Sequence, residues 1–240
     1  MVRTAQGEVA VEDICIGDEV TVYDWQAQAE VNRPVVWVGT KKAFVCPGLP
    51  DDKAGYPVRV LKDAISDGVP YEDLLITAEH CLFFDGKFVP VRMLVNGRSI
   101  FYDKSITSYD YYHVETEQHS VITANGVLTE SYLDTGNRRS FAQSGNVVAL
   151  GGRAKTWAED GNAPLDVRRD FVEPLFHQFD ARASTVCSET VSEDAPLTED
   201  ADLHLVTDTG TVIRKTREAN DRVMFMIPAN VKSVRIVSRT

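Results

Sequence analysis

No run of eighteen apolar residues occurs in the 240-residue chain, so nothing in it reads as a membrane-spanning helix. The opening Met-Val-Arg-Thr-Ala-Gln-Gly-Glu has no apolar stretch, so the expectation is that this chain carries no secretory signal. The compartment stays open, because a segment of an exported protein and an intracellular protein both read this way. Cysteine is scarce. The four present (Cys15, Cys46, Cys81, Cys187) form no C-x-x-C pair, which excludes a disulfide scaffold and speaks against a structural zinc site. Basic residues are also short, 25 against 36 acids, and the net charge of −11 argues against nucleic acid or an anionic membrane as partner. There is no G-x-S-x-G, Walker loop, H-E-x-x-H or EF-hand loop. No internal repeat is visible, and no pattern asks for a cofactor or a metal.

What is present, over the first 140 residues, is a series of short strands separated by turns. Glu19-Val20-Thr21-Val22-Tyr23 alternates with period two, as a half-buried strand does. Val35-Val36-Trp37-Val38 is β-branched and aromatic, and the pattern predicts that it stops at Gly39. Further strands are predicted at 9–14, 57–60, 74–77, 82–84, 87–90, 111–115 and 120–123. Asp85-Gly86 and Asn125-Gly126 are hairpin signals, because both residues of each pair tolerate positive φ. Residues 90–94 read as one or two helical turns. Regular short strands with turn signals predict an all-β domain.

The texture changes near residue 142. Residues 142–164 are rich in Gly, Ala, Ser and Asn, and 164–179 is the best helix candidate, with Pro174 as its start, end or kink. Between Arg182 and Arg214 there are seven acids and no Lys or Arg, which reads as a solvated loop. Strands resume at 202–208, 212–214, 223–227 and 231–237. The expectation is therefore a domain over 1–141 and a smaller β-rich unit with one helix over 142–240.

Three of the five histidines, His80, His113 and His119, fall within forty residues. Thr77 and His80 stand three apart at the end of a predicted strand. A hydroxyl and an imidazole so placed can converge on one peptide bond: the hydroxyl donates to the carbonyl oxygen, the imidazole to the leaving nitrogen. That suits acyl transfer from a backbone amide. Two other readings compete. His80, Cys81, His113 and His119 offer zinc ligands, but adjacent residues of a strand point to opposite faces, so only one of His80 and Cys81 can join a site. Cys81 beside an imidazole can act as a nucleophile, yet its place in an apolar strand reads as a buried, inert thiol.

The order of these pieces resembles the Hint (hedgehog/intein) family. Gly7-Glu8-Val9-Ala10-Val11-Glu12-Asp13-Ile14, followed by Gly17-Asp18-Glu19-Val20, resembles its opening after the first strand. Leu74-Leu75-Ile76-Thr77-Ala78-Glu79-His80 is similar to its T-x-x-H block, and residues 89–97 follow in place. The stretch from Tyr112-His113-Val114-Glu115 to His119, and then Ala124 through Glu130-Ser131-Tyr132-Leu133-Asp134-Thr135-Gly136, resembles the closing block of a bacterial Hint subfamily. The resemblance covers about residues 1–141 and implies a compact, strongly twisted β-disc closed by Tyr132, Leu133 and Phe141. It implies autoprocessing: a cysteine at the domain's first position attacks the preceding carbonyl, and the amide becomes a thioester. By this resemblance Thr77 polarises the scissile amide, His80 protonates the departing amine, His119 assists the later step, and His113 stands where inteins often carry Asp. The partner is then the chain's own upstream polypeptide, as cis substrate.

Two departures matter. The attacking cysteine would lie about six residues before Met1, which sets the expectation of a start at an internal methionine or a fragment of a longer chain. And no terminal Asn stands at Thr129-Glu130-Ser131 to cyclise, so cleavage rather than full splicing is expected. The alternatives are a Hint-fold interaction module that processes nothing, and a zinc-dependent hydrolase.

Overall fold

The computed structural model describes residues 1–143, 153–187, 202–219 and 222–238. The chain divides into two compact units, residues 1–188 and 189–240. In the first unit the strands are β1 (Val2–Thr4), β2 (Gly7–Val9), β3 (Glu19–Asp24), β4 (Ala29–Phe44), β5 (Val58–Val60), β6 (Leu74–Ile76) and β7 (Cys81–Phe84). They continue with β8 (Lys87–Pro90), β9 (Ile100–Tyr102), β10 (Ser108–Thr116), β11 (Val121–Ala124), β12 (Val127–Glu130) and β13 (Ala142–Gln143). Helices are few: α1 (Asp51–Ala54), α2 (Trp157–Asp160) and α3 (Arg169–Val186), with a 3₁₀ turn at Val91–Leu94. No described helix is long and apolar enough to cross a membrane.

Ten strands form one curled antiparallel sheet along the path β10-β4-β3-β1-β11-β12-β7-β8, with β2 on β1 and β13 on β4. A second sheet, β6-β5-β9, lies apart from it. The predicted all-β fold is what the first unit forms. Both hairpin turns take the expected backbone: Asp85 and Gly86 at φ 47° and 79°, Asn125 and Gly126 at 48° and 84°.

β4 runs on past Gly39 to Phe44, against the expectation that it stops there. Gly39 serves packing rather than a turn. A Cβ at Gly39 would stand 2.1 Å from the Trp37 ring, so the missing side chain is the notch that seats the indole. The sixteen-residue strand also changes partner. Residues 29–34 pair with β3 and residues 35–44 with β10, and the change falls at Pro34, which has no N–H for the ladder.

The core of the first unit joins the small sheet (Val58, Val60, Leu74, Ile100) to Leu82, Val89, Leu94 and one face of α3 (Val172, Leu175, Phe179). The helix lies about six residues later than predicted. Its apolar face continues to the buried Ala183, and Pro174 sits inside it, leaving the Asp170 carbonyl without its helical donor.

In the second unit β14 (His204–Thr207) lies between β15 (Val212–Arg214) and β18 (Val234–Val237), and β16 (Arg217–Ala219) pairs with β17 (Arg222–Met224). Of the acidic stretch between Arg182 and Arg214, residues 188–201 fall outside the described residues, while 183–186 close α3 and 204–207 form β14.

Candidate functional site

The Thr77–His80 segment is a tight turn between β6 and β7, closed by a bond from the His80 N–H to the Thr77 carbonyl at 3.0 Å. The 3₁₀ turn after β8 holds it from outside. The first N–H groups of that turn need partners: Val91 donates to the His80 carbonyl and Arg92 to the Ala78 carbonyl, both at 3.0 Å. The Arg92 guanidinium also bonds Glu79 at 2.8 Å. The loop that carries the hydroxyl and the imidazole is therefore fixed on both sides.

Glu130, the last residue of β12, anchors the other end of the turn. Its Oε1 accepts the Cys81 N–H at 2.7 Å, a charge-assisted bond, and the Thr129 hydroxyl donates to the Cys81 carbonyl at 2.7 Å. Glu130 Oε2 faces His119 Nε2 at 3.7 Å, beyond hydrogen-bond range. Burial alone would raise the Glu130 carboxyl. The facing histidines and the Cys81 N–H outweigh burial, and the group is held below its ordinary value.

His113, in β10 opposite Gly39, stacks on His80 with ring centroids 5.9 Å apart and 12° between planes. Tyr132 and Phe141 flank it at 5.0 Å each, and Tyr111 stands edge-on at 5.7 Å. Its Nδ1 is buried and has no hydrogen-bond partner. Burial, and then the neighbouring His80, bring its pKa down to about 3, with Glu130 opposing. Burial likewise lowers His80, where Glu130 opposes and His119 adds. Both imidazoles are neutral near pH 7.

Thr77, His80, His113 and Glu130 line a cavity of about 280 Å³ whose wall also includes Met1 and Val2. The same four line a cleft of about 560 Å³, bounded further by Cys81, Tyr132, Phe141 and Trp157. They thus form the shared boundary of the two spaces. At the mouth of β1, Asn125 Oδ1 accepts from the Met1 nitrogen at 2.5 Å, and the Asn125 N–H donates to the Met1 carbonyl at 2.9 Å.

Of the four residues named from sequence, Thr77, His80 and His113 meet at this boundary. His119 lies behind Glu130, with its side chain fully buried. Cys81 is buried, and burial followed by Glu130 pushes its thiol far above the ordinary range, as an inert thiol requires. Among the described residues no three His, Cys, Asp or Glu side chains are grouped so as to hold a metal ion. Glu130 was missed as a site residue, although the closing block that contains it was the signal.

A family model described as the Hint domain matches residues 1–136. Among solved structures, the chain is similar to a bacterial intein-like domain from Clostridium thermocellum, determined in solution. That match has 18% identity and a TM-score of 0.38, and covers 55% of this chain and 94% of that one. No curated protein matches the chain.

Proposed function

The chain belongs to the Hint domain family, and from that premise we propose that it is an autoprocessing domain whose cis substrate is polypeptide joined ahead of Met1. The domain proposed for this chemistry is residues 1–141, followed by an accessory part over 142–240. One observation carries the reading: Met1 and Val2 line the same cavity as Thr77, His80 and His113. Polypeptide continuing ahead of β1 has that cavity as its neighbourhood.

In the proposed reaction a cysteine thiol ahead of Met1 attacks the carbonyl carbon of the residue before it. The S–C bond forms and the C–N bond breaks, and the thiol's proton ends on the freed amine. Thr77 donates its hydroxyl to the carbonyl oxygen as negative charge develops there. His80 delivers the proton to the departing nitrogen. Water then attacks the thioester, giving a carboxylic acid and the free thiol, with His119 assisting. The neutral His80 imidazole suits this step, because it accepts a proton from one side and returns it on the other.

The test is an intact-mass time course on the chain extended at its N-terminus by a reporter domain and a cysteine about six residues ahead of Met1. Loss of the reporter, accelerated by added thiol and slowed at least about a hundredfold by His80→Ala or Thr77→Ala, is the expected result. A folded protein that keeps its reporter would overturn it. That outcome would assign the inert interaction module, the reading favoured by the complete burial of His119.

A further inference from the structure

Residues 157–166 lie beyond the region matched to the family, yet they pack against His119. The segment is tied down from Asn162 to Asp166. Phe88 N–H donates to the Pro164 carbonyl and Asp166 N–H to the Phe88 carbonyl, both at 2.9 Å, so residues 164–166 add a short parallel pairing to β8. The buried Asp166 carboxylate holds Lys87 at 2.9 Å and Arg168 at 2.7 Å. Upstream, the Trp25 indole N–H donates to the Asn162 carbonyl at 3.3 Å.

With its carbonyl so held, Asn162 turns its backbone N–H to His119 Nδ1, at 3.1 Å. Trp157 stands edge-on to the imidazole at 5.0 Å, and Phe88 packs on it at 5.1 Å. The neutral imidazole has one N–H and one lone pair. A donor aimed at Nδ1 claims the lone pair there and leaves the proton on Nε2. That nitrogen faces Glu130, whose other oxygen holds the Cys81 N–H beside His80.

We propose that residues 157–166 form a positioning strap for the site. The Asn162 N–H fixes His119 as the Nε2–H tautomer directed at Glu130. If the strap merely covered apolar surface, Trp157 and Phe88 would bury the ring equally well in either tautomer. The consequence for processing rests on the function proposed above; the tautomer does not.

The test uses the full chain, ¹⁵N-labelled, at a pH of about 9, well above the ordinary histidine value of about 6.5. Long-range ¹H–¹⁵N spectra should give His119 a pyridine-type Nδ1 and a pyrrole-type Nε2. A ¹⁵N–¹⁵N coupling across the hydrogen bond should join Nδ1 to the Asn162 amide. Asn162→Pro removes that donor, and Gly161 before it is already extended, at φ −68° and ψ 133°, as a residue before proline prefers. In this variant the two ring nitrogens should move toward a mixture of tautomers. In the reporter fusion, thioester breakdown should slow about ten- to a hundredfold while thioester formation persists.

A pyrrole-type Nδ1 in the unaltered chain, or no coupling to Asn162, would overturn the proposal even if the proline variant fails to fold. Unchanged ring shifts in a folded Asn162→Pro would do the same. A locked tautomer in a fusion that never loses its reporter would support the strap and overturn the processing reading.

Discussion

His113 is an imidazole denied the partners that would keep it charged. Its Nδ1 has none, its flanks are aromatic, and the ring stacked on it is another imidazole, His80. The pKa of about 3 sets a direction for stability. In the unfolded chain the ring returns to its ordinary value near 6.5 and binds a proton below it. The folded state does not, so the unfolded state holds more protons and stability falls as pH drops from about 6.5 toward 3. His80, also lowered, adds in the same sense. Urea unfolding between about pH 7 and 5 should show a loss of up to about 1.4 kcal/mol per pH unit from His113, with His80 steepening it. His113→Phe should flatten that slope, and a flat slope in the unaltered chain would mean that the pair is hydrated. At this scale local spacing named Thr77 and His80, and the resemblance of its block named His113. Glu130 had no role in that reading, because its use depends on the Cys81 N–H and on His119, which other elements supply.

Among the elements, β4 shows how a local signal can be read correctly as chemistry and wrongly as geometry. Gly39 interrupts an apolar run, and in isolation a glycine there marks a strand end. In the fold it lies opposite His113, and the Trp37 ring occupies the space a side chain would take. That indole packs on Tyr132 at 4.7 Å and Phe141 at 5.9 Å, the two rings that flank His113. Gly39→Ala should therefore act through the aromatic cluster rather than through the strand backbone. It should destabilise by about 2–3 kcal/mol, since the ring cannot yield without displacing its neighbours. Calorimetry would measure the loss, and near-ultraviolet circular dichroism should change as the cluster repacks. An unaltered near-ultraviolet signal would show that the indole relaxes elsewhere. The hairpin turns, by contrast, were legible because Asp-Gly and Asn-Gly need only their own backbone freedom.

For the whole molecule the question is how far along the chain the Hint domain's core extends. The helical spacing around Leu175 and Phe179 announced an apolar face, but nothing in the sequence says what that face covers. Val172, Leu175 and Phe179 share one core with Val58, Val60 and Ile100 of the small sheet and with Leu82 and Val89 of the large one. Phe179 is 1% exposed and packs on Phe84 at 5.3 Å, in β7, the strand that begins at Cys81 directly after His80. An appended helix would melt by itself; a helix that completes this core must unfold with it. Phe179→Ala should destabilise by about 3–5 kcal/mol, the range for emptying a buried aromatic site. For a body of this size that lowers Tm by about 10 °C. All three tryptophans, Trp25, Trp37 and Trp157, lie in the first unit and report on the sheet. Their fluorescence and the far-ultraviolet helical signal should shift together in the variant. If the helical signal melts early while the tryptophan transition stays in place, α3 is a dispensable cover and the core over residues 58–127 stands without it.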